Sequence, residues 1–123
     1  MSADVLAANL AFYEAHEARD LAAMEAVWEH SDRVVCVHPG WPILRTWPLV
    51  RESWRRIFEG PGRNQFILTN ESVQHAGGVA WVTVDENLVA GAASGTIAAT
   101  NLFVLVGGRW LLVAHHGSPV MSG

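Results

Sequence analysis

The chain has 123 residues, half of them hydrophobic and 16% charged, with a formal net charge of -4. That length limits it to one core, a single domain over residues 1–123, and that apolar fraction excludes a disordered chain. Eight cations, all arginine, set against twelve acids exclude the clustered positive surface that nucleic acid requires. Arg51, Arg55 and Arg56, with Arg45 nearby, come closest to a basic run; Glu52 and Glu59 dilute it to a solvated helix face. The single cysteine, Cys36, has no internal disulfide partner, and Met1 leads into Ser2-Ala3-Asp4 without a basic or apolar leader. A cytoplasmic protein without a signal peptide is expected. No apolar run approaches the ~20 residues of a membrane span, so no membrane partner is expected.

Ser2 or Asp4 caps a first helix running to about Arg19, with Leu6, Leu10 and Tyr13 as its apolar stripe and Val5, Ala8 and Phe12 alongside. Asp20 is the N-cap of a short second helix whose Leu21, Met24, Val27 and Trp28 share a face. Arg33 to Val37 is a β-branched run and reads as a lone strand. Residues 38–48 hold three prolines and a glycine, which deny the backbone a regular period, so a loop is expected there. Thr46 caps a third helix, with Pro48 in its first turn, Val50, Trp54, Ile57 and Phe58 buried, and Gly60-Pro61-Gly62 as its stop.

From Gln65 the period changes to two. Gln65–His75, Val79–Val89, Thr96–Val106 and Arg109–His116 are strand segments separated by Gly77-Gly78, Gly91 to Gly95 and Gly107-Gly108. Short turns make neighbours antiparallel, and long strands twist and coil. The expected fold class is α+β, with N-terminal helices packed in a strongly curved antiparallel sheet, a cone or half-barrel with a central pocket. The last two strands are apolar on both faces. In the final strand, Leu111 and Val113 oppose Trp110, Leu112 and Ala114. The face away from the helices needs a cover, which predicts a homodimer through the outer sheet surface.

Polar residues in these apolar strands are the informative ones. Neighbours along a strand point to opposite faces, so only one of His115 and His116 faces the cavity. His116 reads either as a ligand contact or as a partner of Ser118. His38 opens the loop, and two roles stand for it. It is a general acid/base or ligand anchor, because imidazole titrates near neutrality, or its ring packs on Trp41 and bonds a loop carbonyl. Asp85 or Glu86 is a candidate buried base with a raised pKa. Asn101 is either a pocket anchor or a bulge-capping amide. Trp41, Trp47 and Trp81 are candidates for a ligand-facing wall, while Trp28, Trp54, Trp110 and Cys36 fit the core. No tight His, Cys or Asp spacing announces a metal site, and no cofactor is expected.

Val37-His38-Pro39-Gly40-Trp41, Ser53 to Phe58, Ala99-Thr100-Asn101-Leu102-Phe103 and Gly108 to Pro119 together resemble the SnoaL-like branch of the nuclear transport factor 2-like superfamily. The resemblance covers nearly the whole chain. It implies a cystatin-like α+β cone, a homodimer, and a cavity between the bent sheet and the helices. That superfamily includes isomerases, cyclases, dehydratases, epoxide hydrolases and non-catalytic binding proteins. Its enzymes place an Asp, or an Asp–His pair, deep in the cone, a role for which Asp85 is the available residue.

Three functional readings stand. The first is a binding domain for a small apolar or aromatic ligand, walled by Trp41, Trp54 and Trp81 and anchored by His38, Asn101 and His116. The second is a cofactor-free isomerase, cyclase or dehydratase with His38 or Asp85 as catalytic base and Asn101 as oxyanion donor. The third is a dimerisation module with a filled cone.

Overall fold

A computed structural model describes residues 2–89 and 95–121 of the chain. Helix α1 (Ser2–Ala18) buries Val5, Asn9, Phe12, Tyr13 and Ala15. The expected stripe through Leu10 is displaced, because Leu10 is 53% exposed. The helix is rotated so that Asn9, Tyr13 and His16, at steps of four and three, face inward, where Asn9 and Tyr13 find hydrogen-bond partners. Helix α2 (Leu21–Val27) starts as expected at Asp20, whose carboxylate accepts from the Ala23 N–H at 3.0 Å.

Strand β1 (Val35–Val37) is followed by β2 (Leu44–Arg45), a two-residue strand inside the segment expected to be irregular. Helix α3 (Trp47–Glu59) buries Val50, Ser53 and Trp54. Thr46 precedes it without a side-chain cap bond, contrary to expectation. Its backbone does the work instead, with its N–H donating to the Val34 carbonyl and its carbonyl accepting from Val50 N–H, both at 3.1 Å. Arg19 ends α1 at φ 54° and donates to the Phe58 and Gly60 carbonyls, so the guanidinium caps the far end of α3.

Strands β3 (Phe66–Ala76), β4 (Val79–Leu88), β5 (Gly95–Val106) and β6 (Arg109–Pro119) form the expected antiparallel meander. Residues 90–94 of the expected β4–β5 turn lie outside the described residues. The sheet order is β2-β1-β6-β5-β4-β3, curved and unclosed, with β1 parallel to β6. That pairing sets Cys36 opposite His115 and Val37 opposite His116.

Two register shifts decide which residues face the helices. In β3, Asn70 and Glu71 together stand opposite Val84, and Asn70 takes φ 56°. That bulge lets Glu71 reach Asn9 on α1. In β6, Leu102 and Phe103 pair with Ala114 and Leu112, leaving Val113 as the extra residue. Strict alternation would put Leu112, Ala114 and His116 on one face. The bulge shifts the phase by one, so Leu112 and His115 both turn inward and are buried. Close approach then seals the base of β6. A Cβ on Gly117 would lie 3.0 Å from Ile97 Cγ2 and 3.2 Å from Pro39 Cγ.

The core lies between the inner sheet face and the helices. Ala80, Val82, Val84 and Phe103 meet Phe12, Met24, Trp28, Val50 and Trp54 there.

Candidate functional site

Between the sheet and the helices lies a cavity of about 270 Å³, lined by His16, His38, Trp41, Phe66, Glu86 and His115 among others. Four parts of the fold supply its titratable groups. His16 comes from α1, His38 from the residue after β1, Glu86 from β4 and His115 from the bulged half of β6.

His38 is buried, and its Nε2 lies 2.8 Å from Ser53 Oγ. Ser53 uses its own proton on the Val50 carbonyl at 2.7 Å, so Nε2 carries a hydrogen and donates it. The ring stands edge-on to Trp54 at 4.6 Å and to Trp41 at 4.9 Å. Burial, followed by the nearby His16, lowers its pKa to about 4, so the ring is neutral near pH 7. His38 packs on Trp41, as one sequence reading has it, and lines the cavity, but it bonds the Ser53 hydroxyl rather than a loop carbonyl.

A second chain of hydrogen bonds crosses the floor. Asn9 Nδ2 donates to Glu71 Oε2 at 3.2 Å, and Asn101 Nδ2 donates to Asn9 Oδ1 at 2.9 Å and to the Tyr13 oxygen at 3.1 Å. Asn101 Oδ1 then lies 2.6 Å from His115 Nδ1, and the Tyr13 O–H donates to Glu86 Oε2 at 2.6 Å. Glu86 is 5% exposed. Burial raises its carboxyl to about 7, against the opposing pull of the Tyr13 hydrogen bond. Burial and the adjacent Glu86 also push the Tyr13 phenol up. His115 is held well below the usual imidazole range by burial and then by its His38, His16 and His116 neighbours. Burial lowers His16 to about 4, and its Nδ1 has no hydrogen-bond partner among the described residues.

The sequence-predicted residues do not all converge. His38 and Trp41 line the cavity. Trp54 and Asn101 are fully buried behind that lining and touch His38 and His115 respectively. Trp81, Asp85 and His116 are corrected in position: they share the outer sheet face with Thr83, Thr100 and Leu102. For Trp81 and Asp85 the reason is simple alternation along β4, where Ala80, Val82, Val84 and Glu86 take the inner face. For His116 the reason is the Val113 bulge, which hands the inner position to His115. Asp85 is therefore not the base at this cavity, and Glu86 is the carboxyl that reaches it. Trp47 stacks flat on His30 at 4.4 Å, away from the cavity lining. Cys36 is buried, with its thiol pushed up by burial.

Asn9 and His16 were not singled out in the sequence, and Tyr13 was read only as part of the apolar stripe of the first helix. Their signal was a polar residue at every turn of an otherwise apolar helix face. No three His, Cys, Asp or Glu side chains are grouped as a metal site among the described residues.

The outer sheet face carries a broad shallow depression bordered by Asn70, Trp81, Asp85, Leu102, His116 and Ser118. No helix among the described residues is long and apolar enough to cross a membrane.

Known proteins share this fold and much of this sequence. A proposed dehydratase of the NTF2-like family from Streptomyces avermitilis is 36% identical, with a TM-score of 0.89 over 97% of this chain and 95% of that one. A proposed calcium/calmodulin-dependent protein kinase type II association domain from Thiobacillus denitrificans is 38% identical, with a TM-score of 0.80 over 94% of each chain. The F-box protein SKIP8 of Arabidopsis thaliana is 28% identical over 117 residues, 95% of this chain; the chain spans about half the length of that relative. The family model for the SnoaL-like domain matches residues 5–122. The chain thus belongs to the SnoaL-like domain family, and its fold is that of the NTF2-like proteins.

Proposed function

We propose that this domain binds a small, uncharged, largely apolar molecule in the cavity between sheet and helices. The observation that carries this reading is the hollow itself. It holds about 270 Å³ of space walled by Trp41, Phe66, Ile57, Leu88 and Ile97, with a few polar atoms from His38, Glu86 and His115. An apolar cavity of ~150 Å³ accommodates benzene, so this one has room for a substituted ring. Mostly apolar walls with a few directed polar groups are the composition of ligand sites. Three histidines kept neutral by burial give an anionic ligand no cation to pair with. The hollow also weighs against a filled cone that serves dimerisation alone.

The test is occupancy. Uncharged one-ring aromatic probes should shift the side-chain resonances of Trp41 and His115, and Leu88→Trp, which fills the cavity, should abolish the effect. Probes that bind the filled variant as well as the parent would refute the site.

A second reading, proton transfer on the bound molecule, is favoured by one observation. Glu86 is a carboxyl in the cavity wall, held by Tyr13 and raised to about 7. That is where a general acid/base exchanges protons most readily at neutral pH. The name of the Streptomyces relative points the same way, since dehydration needs a group that takes a proton and one that gives it. Deuterium exchange next to the carbonyl of small ketones, faster with the protein than with Glu86→Gln, would support it; equal rates would remove it.

Self-association through the outer sheet face is proposed as well. Trp81, Leu102 and Ala114 lie there on one surface, and the association-domain name of the Thiobacillus relative is in keeping with it. A cytoplasmic location suits a chain whose single cysteine is a buried thiol.

A further inference from the structure

Glu71, at the bulge of β3, fixes the direction of every hydrogen bond between itself and His115. Its carboxylate accepts only, so the Asn9 side chain must turn its NH₂ toward Glu71 at 3.2 Å. Asn9 Oδ1 then faces Asn101, which must present its own NH₂ at 2.9 Å. The same NH₂ reaches the Tyr13 oxygen at 3.1 Å, leaving the Tyr13 proton for Glu86. Asn101 Oδ1 is thereby turned toward His115, and His115 Nδ1 must carry the hydrogen that closes the 2.6 Å contact.

A neutral imidazole with its hydrogen on Nδ1 has a bare lone pair on Nε2. His115 lines the cavity, and that nitrogen has no hydrogen-bond partner among the described residues. His38 is set by the same logic. Its Nε2 hydrogen goes to Ser53 Oγ, which leaves Nδ1 as the acceptor. Glu86 receives the Tyr13 hydrogen on Oε2, so its second oxygen is the one left for the cavity. Among the described residues, no arginine lines this cavity.

We infer that the cavity is specific for an uncharged molecule bearing a hydroxyl donor, of the phenol or alcohol class, whose O–H is accepted by His115 Nε2. This rests on the binding reading above and adds the chemical class. A ligand without a donor would bury a bare imidazole lone pair unmatched, and an unmatched buried polar group is penalised more heavily than a matched one is rewarded.

The test uses the intact chain and three probes of similar shape: 4-methylphenol, its methyl ether 4-methylanisole, and 4-methylbenzoate. Long-range proton–nitrogen correlation spectra at neutral pH should show His115 with a protonated Nδ1 and an unprotonated Nε2. Saturation with 4-methylphenol should shift the Nε2 resonance as it accepts the hydroxyl. The phenol should bind about tenfold or more tighter than the ether, and the benzoate should bind more weakly than either. Equal affinities for phenol and ether would overturn the hydroxyl class while leaving a binding cavity in place. A hydrogen on Nε2 in the free protein would overturn it equally. No binding by phenol or ether would bring down both the class and the cavity reading.

Discussion

The phenol oxygen of Tyr13 on α1 stands 2.6 Å from Glu86 Oε2 on β4, inside the protein. Two groups that both ionise at a penalty when buried have been placed together, and the result governs the acid response of the fold. Glu86 is raised on folding from an ordinary 4.5 to about 7. Its contribution therefore favours the folded state fully below pH 4.5 and is lost as pH rises through 7. His16 and His38 act in the opposite sense. Lowered from 6.5 to about 4, they favour folding above pH 6.5 and lose that contribution as pH falls through 4. In Glu86→Gln only the histidine response remains, since glutamine still accepts the Tyr13 hydrogen. The variant should lose stability more steeply than the parent between pH 6.5 and 4.5, by on the order of 3 kcal/mol across the window. Urea midpoints measured at intervals of pH check this; parallel curves would mean that Glu86 titrates like an exposed carboxyl.

Tyr13→Phe isolates the same contact from the other side. The hydrogen bond from Tyr13 pulls the Glu86 carboxyl down against its burial, so its loss should move the carboxyl further up from about 7. Asn101 Nδ2 also loses one of its two acceptors. Together these should lower stability by about 1 to 3 kcal/mol. Carbon-13 titration of the Glu86 carboxyl gives the direction, and a downward movement would contradict the arrangement.

The coarse fold was legible in the sequence because it depends on periods and breakers. The step-of-two pattern from Phe66 to Pro119, interrupted at Gly77 and Gly107, specified the meander without further information. The site was harder to read because it depends on which face each residue takes, and a single inserted residue reverses that. Val113 is such a residue. It is one more apolar side chain in an apolar strand, with nothing in its chemistry to mark a bulge, so His116 was expected where His115 stands. Asn70 did leave a trace, since asparagine tolerates positive φ. Glu86 and Asp85 were equally acidic on paper; only the alternation Ala80-Val82-Val84 running into Glu86 separates them.

Among the indoles, position separates binding from folding. Trp41 lines the cavity and is 37% exposed, whereas Trp54 is fully buried with His38 and Phe12 edge-on to it. Trp54→Ala should lower stability by about 3 to 5 kcal/mol through the void it leaves. Trp41→Ala should change stability by less than about 1 kcal/mol yet weaken an aromatic probe about fivefold, one lost ring contact being worth ~1 kcal/mol. Chemical denaturation and probe titration on the two variants give a crossed pattern if the assignment is right. Equal losses of stability would place Trp41 in the core.

The outer sheet face offers a separate experiment on assembly. Leu102 is half-buried and borders the depression with Trp81 and His116. Leu102→Glu would place a charge, and its partner's charge, at the centre of a twofold interface formed there. Like charges facing each other across such an interface cost several kcal/mol, so sedimentation should show the dimer replaced by monomer at micromolar concentration. His38 and Glu86 face the other way, so their titration behaviour should be retained. A parent chain that sediments as a monomer would refute the proposed dimer, and a variant that remains dimeric would move the interface elsewhere.

Asn70 links the sheet backbone to the chemistry of His115. It holds φ 56° at the point where β3 gains a residue, and that gain aims Glu71 at Asn9. A β-branched side chain in that conformation costs about 1 to 2 kcal/mol, whereas glycine adopts it freely. Asn70→Val should therefore destabilise the fold by about that amount or straighten the strand. If the strand straightens, Glu71 leaves Asn9, both amides are free to turn over, and His115 gains a second population with its hydrogen on Nε2. Asn70→Gly keeps the bulge and should keep a single tautomer. The imidazole nitrogen shifts of His115 in the two variants separate the cases: a single tautomer in Asn70→Val, at unchanged stability, would show that the backbone at the bulge does not control the imidazole.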